Sequence, residues 1–292
     1  MFDFDNTLVD FHEASKLAFD QCFIDYELAQ KSDYYQIYGE INAKVWEDFE
    51  EKKITAIDIR KIRFTKFLEQ VGVTHLDGLV FNAQYLNNLI KFTTIRPEVQ
   101  EMLTLLKNKY KLSIITNGLK EVQRPRLDQC EITALFDSII VSDEIGVAKP
   151  DKLFFDAAIA SVQEQIDKHK ILVIGDSLRS DIAGAKAYGL KSCYINANPE
   201  AKVDADITIS DVLQLNTVLE DMYIPVNCDW YDYLEICSMK NMDVEIQHKT
   251  ENKVRIFRGK ITNLKAKNKE EFALLSDGSR IRLDKIMTIN II

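Results

Sequence analysis

The first ten residues, Met1–Asp10, read MFDFDNTLVD, and the interpretation of the whole chain starts from them. Asp3 and Asp5 are two positions apart, and Thr7 follows two positions later. Alternate residues of a strand share a face, and a chain that turns out of its strand can bring both carboxylates into one pocket. Such a pair suits a divalent cation and a nucleophile. The alternative interpretation is a surface turn with an Asx cap.

Length and charge limit the possible classes of protein. The 292 residues suggest about two domains. Hydrophobic residues make up 46% and charged residues 28%, as in an ordinary globular protein. The net charge of the whole chain is −9. Residues 227–292 hold 12 Lys and Arg against 10 Asp and Glu, a charge of +2, so the first 226 residues carry −11. This acidic body argues against direct binding of nucleic acid.

Cysteine usage and hydropathy favour a cytoplasmic protein. The five cysteines are odd in number, widely spaced and without a Cys-x-x-Cys pair. Neither a zinc site nor a disulfide framework is expected, and a reducing cytoplasm fits this usage. No apolar run reaches about 18 residues, so neither a membrane span nor a membrane partner is expected.

The pattern over residues 12–92 is helical. Thr55 and Asp58 resemble a capping box, in which Asp takes the place of the usual Glu. About four helices inserted directly after a catalytic-looking turn would form a lid, and the alternative is an independent helical bundle.

Short apolar strands then alternate with helices. Pro97 lies in the first turn of a predicted helix, a position that proline favours. This rhythm predicts a doubly wound parallel α/β sheet, which binds its ligands at the carboxyl ends of the strands. The predicted strands cover residues 112–115, 136–141, 171–174 and 193–195.

The last 65 or so residues have a different pattern, which predicts a small antiparallel β-barrel. Val244 and Ile246 alternate with polar residues, and Asp277-Gly278 is a hairpin signal between two apolar runs. The residues predicted to fill its core are Leu234, Ile236, Val244, Ile246, Ile256, Leu274, Ile281 and Leu283.

Polar residues gather where the predicted parallel strands end. The set comprises Asp3, Asp5, Thr116, Lys149, Asp176 and Asp181. Four converging carboxylates would repel one another without a cation, and Mg²⁺ is the cation that suits hard oxygen ligands beside a phosphate. Asp3, Asp5, Asp176 and Asp181 are therefore the predicted metal site.

The same residues can perform phosphoryl transfer. Asp3 can attack phosphorus to form an aspartyl-phosphate, and Asp5 can protonate the leaving oxygen and later activate water. Lys149 and the Thr116 hydroxyl can hold the phosphoryl oxygens as charge develops. The backbone N–H groups of Asn117 and Gly118 offer further contacts to these oxygens.

Four motifs resemble those of the haloacid dehalogenase-like (HAD) phosphohydrolases. They are Asp3-Phe4-Asp5-Asn6-Thr7, Ile115-Thr116-Asn117-Gly118, Lys149-Pro150, and Gly175-Asp176-Ser177 with Asp181, in this order. The resemblance covers roughly residues 1–220. It implies a catalytic core over residues 1–11 and 93–222 and a helical cap over residues 12–92.

Within that superfamily the chain is most similar to pyrimidine 5′-nucleotidases with a helical cap. The similar stretches are Val45-Trp46-Glu47-Asp48-Phe49 with Ile54-Thr55, Ile115–Gly118 with Arg126-Leu127, and Glu144-Ile145-Gly146-Val147-Ala148-Lys149-Pro150. The resemblance implies Mg²⁺-dependent removal of phosphate from UMP, dUMP and dTMP.

Several alternatives stay open at this point. A dehalogenase would lack the carboxylate of Asp5, and a receiver domain would lack the inserted cap, but a phosphoglycolate or sugar-phosphate phosphatase fits the same motifs. Trp46, Tyr38 or Phe64 could stack on a base or simply pack in the cap. The arginines Arg63, Arg124 and Arg126 could bind phosphate or be surface charges.

The first strand departs from the family pattern. About five apolar residues usually precede the nucleophile, and only Met1 and Phe2 precede Asp3. We expect either that the natural chain begins upstream of Met1 or that the central strand is short.

The tail has a resemblance of its own. Tyr223–Glu235 and Arg282–Ile286 are similar to the Rof family, small SH3-like barrels that bind the transcription terminator Rho. The resemblance implies an SH3-like barrel over residues 223–292, with Asp229, Asp232 and Glu235 facing Rho. The alternative is that these acids only cap and solubilise their helix. For the whole chain, a further alternative is a regulatory Rho-binding protein with an inactive phosphatase body.

Overall fold

The structure is a computed structural model. It describes residues 1–162, 166–196, 203–221, 226, 228–250, 253–267 and 270–292. These residues form two compact units, Met1–Thr217 and Val218–Ile292. The predicted boundary between residues 222 and 223 lies outside the described residues, as do positions 223–225 and 227 of the Rof-like stretch.

Four helices follow the N-terminal turn, as the helical pattern predicts. They are α1 (Phe11–Asp25), α2 (Tyr34–Glu50), α3 (Ala56–Gln70) and α4 (Gly78–Phe92). The predicted capping box at the start of α3 is confirmed. The Thr55 hydroxyl oxygen accepts from the Asp58 N–H, and the Asp58 carboxylate accepts from the Thr55 N–H. The apolar faces of the four helices share one buried cluster.

Two of the three candidate stacking aromatics belong to that cluster. Tyr38 and Phe64 are almost fully buried and stack on each other with ring centroids 4.7 Å apart. Their role is therefore packing within the cap, which leaves Trp46 as the candidate that a ligand can reach.

Strands and helices alternate from residue 97 to residue 221. They are α5 (Pro97–Lys107), β1 (Ser113–Thr116), α6 (Lys120–Gln129), β2 (Ser138–Val141), α7 (Ser142–Ile145), α8 (Lys152–Ala160), β3 (Leu172–Gly175), α9 (Gly184–Tyr188), β4 (Lys191–Ile195), β5 (Ile207–Ile209) and α10 (Leu215–Asp221). β1 pairs with β2, and β3–β4–β5 pair in that order, all in parallel. The predicted parallel α/β core is confirmed, and β5 is a strand that the sequence pattern did not reveal.

The first strand consists of little more than Phe2. This residue forms parallel bridges to Ile114 of β1 on one side and to Ile174 of β3 on the other. Its N–H donates to the Ser113 carbonyl at 2.7 Å, and the Asp3 N–H donates to the Ile174 carbonyl at 2.8 Å. Phe2 thus joins the pair β1–β2 to the set β3–β4–β5. Asp3 follows Phe2 and therefore lies at the carboxyl ends of the parallel strands, in the middle of the sheet.

The second unit consists of a helix and an antiparallel sheet. Its elements are α11 (Cys228–Met239), β6 (Asp243–Lys249), β7 (Val254–Lys267), β8 (Glu270–Leu275), β9 (Arg280–Arg282) and β10 (Ile286–Ile291). The strand order is β10–β6–β7–β8–β9. The predicted hairpin is confirmed, since Asp277-Gly278 joins the paired strands β8 and β9, and Gly278 has a φ of +84°. Among the described residues no pairing of β9 with β10 closes this sheet into a barrel.

The predicted core of this unit is wrong at two positions. Ile236 is 45% exposed and Ile256 is 56% exposed, whereas Phe257 is buried. Side chains alternate between the faces of a strand, so an error of one residue in β7 exchanges its inner and outer sets. In β8 the half-buried Leu274 likewise lies between the buried Ala273 and Leu275.

Two expectations from composition can be compared with the structure. All five cysteines are free thiols. Among the helices in the described ranges, none is both long enough and apolar enough to cross a bilayer.

Candidate active site

The predicted site residues of the first unit converge on one cavity. Asp3, Asp5, Thr116, Asn117, Gly118, Lys149, Asp176 and Asp181 all line it. Asp3 follows Phe2, Thr116 ends β1, and Asp176 follows β3, so adjacent parallel strands deliver these side chains to the same edge. The interpretation of Met1–Asp10 as a surface turn is therefore wrong, since Asp3 is only 7% exposed.

Lys149 lies at the centre of the buried charges. Its Nζ donates to Asp3 Oδ1 at 2.7 Å, to Asp181 Oδ1 at 2.6 Å and to the Ile115 carbonyl at 2.8 Å. Burial lowers the pKa of Lys149, but the two carboxylates outweigh it and raise the pKa overall. The ammonium group therefore stays charged and uses all three of its N–H donors.

The Asn117 side chain positions Lys149. Its Nδ2 donates to the Lys149 carbonyl, and its Oδ1 accepts from the Lys149 N–H, both at 2.8 Å. This reciprocal pair fixes the backbone from which the Lys149 side chain extends into the site.

Three carboxylates form a cluster that could hold a metal ion. Single carboxylate oxygens of Asp3, Asp176 and Asp181 lie within 4.8 Å of one another. Burial raises the pKa of Asp3 well above its ordinary value, Lys149 opposes this, and the charges of Asp181 and Asp176 add to it. Burial, followed by the charge of Asp181, raises the pKa of Asp176 to about 6. The cluster is therefore short of positive charge, and its hard oxygen donors fit a divalent cation such as Mg²⁺.

Asp5 lies apart from this cluster and is held by α6. Gln123 Nε2 donates to Asp5 Oδ2 at 3.0 Å and also to Thr116 Oγ1 at 2.6 Å. Arg126 Nη2 lies 2.7 Å from Asp5 Oδ1, in an ion pair that is not aligned as a hydrogen bond. Since the Thr116 oxygen accepts from Gln123, its hydroxyl proton remains available to another acceptor.

Sequence reasoning missed Gln123 and favoured a surface charge for Arg126. Arg126 is 1% exposed, so its interpretation as a surface charge is wrong. Arg124 is exposed and pairs with Glu144, as expected of a surface residue. Gln123 and Arg126 are three residues apart on α6, directly after the Thr116–Gly118 turn, and this spacing on one helical face was the available signal.

The cap supplies the other side of the cavity, whose volume is about 280 Å³. Asn42 and Trp46 of α2, Arg63 of α3, and Leu86 and Leu89 of α4 line it. Arg63 is 3% exposed, so it is also not a surface charge. The cavity thus has a carboxylate-rich floor, and its cap side combines apolar side chains with the buried cation of Arg63 and the carboxylate of Glu50 on α2.

A family comparison decides the class of protein. Residues 1–189 match the family described as haloacid dehalogenase-like hydrolase. The chain belongs to the haloacid dehalogenase-like hydrolases. Among its HAD relatives, the pyrimidine 5′-nucleotidase YjjG of Escherichia coli is 30% identical over 75% of this chain and 96% of its own length. The pyrimidine 5′-nucleotidase PynA of Streptococcus pneumoniae is 30% identical over 67% of this chain and 82% of its own length.

A solved HAD structure agrees with these relatives. The HAD-hydrolase YfnB of Bacillus subtilis, described as bound to magnesium, superposes with a TM-score of 0.70 at 30% identity. The match covers 75% of this chain and 96% of YfnB. The protein is therefore a HAD-type phosphatase related to pyrimidine 5′-nucleotidases.

The predicted partner residues lie on the second unit. Asp229, Asp232 and Glu235 are all exposed on α11, at intervals of three residues. The opposite side of this helix buries Leu234 and Cys237 against the sheet.

Proposed function

We propose that this protein is a Mg²⁺-dependent 5′-nucleotidase that hydrolyses nucleoside monophosphates and prefers pyrimidines. The observation that carries the proposal is the convergence of Asp3, Asp176 and Asp181 around Lys149 at the floor of a capped cavity. The relationship to YjjG and PynA supports the substrate class.

The carboxylate cluster is the proposed magnesium site. Asp3, Asp176 and Asp181 would hold the ion, since their oxygens approach one another and lack sufficient positive charge. Bound Mg²⁺ would neutralise these carboxylates and polarise a phosphoryl oxygen. Asp5 was also predicted as a ligand, but its contacts to Gln123 and Arg126 suit a separate role in proton transfer.

The proposed reaction has two steps. Asp3 attacks phosphorus, the bond from phosphorus to the ester oxygen breaks, and Asp5 gives its proton to the leaving alcohol. Asp5 then takes a proton from a water molecule, whose oxygen attacks the aspartyl-phosphate and releases inorganic phosphate. Asp3 is regenerated as a carboxylate and Asp5 as an acid.

The remaining site residues would stabilise charge on the phosphoryl group. The free hydroxyl proton of Thr116 is a proposed contact to the phosphoryl oxygens, and Lys149, whose three N–H donors already have acceptors, would stabilise these oxygens through its positive charge. The backbone N–H groups of Asn117 and Gly118 are the further proposed contacts. A Cβ at Gly118 would overlap the Gln123 side chain, so a larger residue there would displace Gln123 from its contacts with Asp5 and Thr116.

A hydrolysis panel tests this function. Purified protein, with Mg²⁺ or with excess chelator, is assayed against dUMP, UMP, dTMP, dCMP, phosphoglycolate and a hexose phosphate. We expect Mg²⁺-dependent release of phosphate, fastest with the pyrimidine nucleotides. Faster hydrolysis of phosphoglycolate or the sugar phosphate would favour the alternative phosphatases, and the absence of any hydrolysis would favour a regulatory protein with an inactive phosphatase body.

The nucleophile has its own test. Asp3→Asn should lower kcat by at least about 10³-fold, because an amide neither attacks phosphorus nor binds the cation as a carboxylate does. The matched control is Asp20→Asn on α1, a half-buried carboxylate paired with Lys16 outside the cavity. Turnover by Asp3→Asn equal to that of the control would contradict the mechanism.

For the second unit we propose binding to Rho through α11, as a Rof-like module with an SH3-like barrel. The observation that favours it is the exposed row of Asp229, Asp232 and Glu235. The test is a calorimetric titration of the full chain against purified Rho. Asp232→Lys should weaken binding, more at low salt than at high salt, whereas Glu69→Lys on α3 makes the same charge change elsewhere. The absence of binding by the folded wild type would refute this partner.

A further inference from the structure

Arg63 is a buried cation that has no anionic partner in the part of the chain that the structure describes. Its Nε donates to Asn82 Oδ1 at 2.8 Å, and its guanidinium lies over the rings of Phe64 and Tyr85 at 5.3 and 5.2 Å. Within the described ranges, no carboxylate pairs with it, and Nη2 has no hydrogen-bond partner. A buried donor left unpaired destabilises the protein, so this arrangement calls for a functional explanation.

The position of Arg63 supplies that explanation. The side chain lines the same cavity as Asp3 and Asp5, but from α3 in the cap. Asn42 also lines the cavity, and its Oδ1 lies 3.5 Å from Arg63 Nη1, at the limit of a hydrogen bond. Both groups therefore have hydrogen-bonding capacity left for a molecule that enters the cavity.

The surroundings of Arg63 specify the shape of the group that binds there. Trp46, Leu86 and Leu89 line the cavity on the same cap side. Apolar and aromatic side chains beside a cation can accept a flat ring, and a guanidinium, which can only donate, requires an acceptor on the edge of that ring. The amide of Asn42 can donate to a ring carbonyl or accept from a ring N–H.

We propose that Arg63, with Asn42, binds a ring carbonyl of the pyrimidine base and is a specificity-determining residue. This inference rests on the proposed nucleotidase function. The phosphate would lie at the carboxylate floor, and the base would enter the cap side. Binding would give Nη2 the acceptor that it lacks.

The test compares substrates that share a phosphate but differ in the base. Arg63→Gln, Arg63→Lys, Asn42→Ala and the control Lys66→Gln, an exposed cation on the same helix, are assayed with dUMP and with ribose 5-phosphate. Arg63→Gln should lower kcat/KM for dUMP by about tenfold to a hundredfold, mainly through KM, because a remote contact contributes to binding. Ribose 5-phosphate, which has no base, should change by less than about twofold.

Each other outcome has a defined meaning. An equal loss with both substrates would overturn the inference, because it would indicate damage to the site as a whole. The same variants are also assayed with phosphoglycolate, and a larger loss with it than with dUMP would overturn the inference, because Arg63 would then bind a carboxylate. Wild-type protein that does not hydrolyse dUMP would refute the proposed function itself, and that result is obtained before any variant is made. Arg63→Lys keeps the charge without Nη2, and should retain only part of the dUMP activity.

Discussion

Arg126 and Asp5 form an ion pair inside the first unit, with Arg126 Nη2 2.7 Å from Asp5 Oδ1. Arg126 is 1% exposed, and its Nε and Nη1 donate to Thr93 Oγ1 and Gln123 Oε1, both at 2.7 Å. Its guanidinium also lies 4.9 Å from the centre of the Phe4 ring. The proposed acid and base is therefore held by a cation that is itself fixed on three sides.

Arg126→Met should separate this pair. Asp5 would lose the cation paired with it, and the side-chain oxygen of Gln123 would lose the Arg126 N–H that donates to it. We therefore expect kcat to fall by about tenfold to a hundredfold. The free energy of unfolding should fall by about 2 kcal/mol, less than for a fully buried pair because Asp5 is partly exposed. The measurements are steady-state kinetics and urea unfolding. Arg124→Met, which removes an exposed cation from the same helix, is the control, and equal effects of the two variants would contradict a special role for Arg126.

Asp176 should make the metal-free protein less stable as the pH rises. Its pKa is raised from 3.8 to about 6, so between these values the folded state holds a proton that the unfolded state has released. The free energy of unfolding should therefore fall across this interval, by roughly 2 kcal/mol from this group. Asp176→Asn should remove this group's share of the slope, leaving that of Asp3, and should stabilise the metal-free protein at pH 7. Urea unfolding at pH 4.5 and pH 7 measures both, and an unchanged slope in the variant would contradict the assignment.

Magnesium should reverse part of this pH effect. A cation that binds only the folded state stabilises it in proportion to the logarithm of its concentration. We expect added Mg²⁺ to raise the Tm of the wild type at pH 7 and to raise that of Asp176→Asn much less. An equal rise in both proteins would place the ion elsewhere.

Gly175→Ala should disrupt the site through Asp181. A Cβ at this position would lie 2.2 Å from Asp181 Oδ2, and Asp181 is the fully buried partner of Lys149. We expect activity to fall by more than about tenfold, with a destabilisation of about 1–3 kcal/mol from overpacking. Gly39→Ala on α2 meets nothing within 4 Å and should stabilise the protein slightly. Normal activity of Gly175→Ala would show that the site adapts to the methyl group.

Phe257 and Ile256 test the face assignment of β7. Phe257 is buried in the second unit, whereas Ile256 is 56% exposed. Phe257→Ala should destabilise this unit by about 3–5 kcal/mol, and Ile256→Ala by less than about 1 kcal/mol. Thermal unfolding followed by circular dichroism compares them. The reverse order would restore the assignment that the sequence pattern predicts.

The residues of the catalytic floor were predictable because they are local. Each follows a short apolar strand, and parallel strands bring their carboxyl ends to one edge whatever the loops do. Asp3, Thr116 and Asp176 could therefore be placed together without coordinates. The helical cap and the hairpin at Asp277-Gly278 were also predictable, since periodicity and turn chemistry act over a few residues.

Other features depended on contacts between distant parts of the chain. Arg63, Arg124 and Arg126 are alike in sequence, yet one lines the cap, one is a surface charge and one holds Asp5, because helix orientation decides which side chain is buried. The core face of β7 was predicted one residue out of phase, since apolar residues on both faces leave the phase ambiguous. By itself the sequence determined the chemistry at the strand ends, because that chemistry is written in short motifs. Only the tertiary structure decided which charges meet, because burial and pairing are set by packing between segments far apart in the chain.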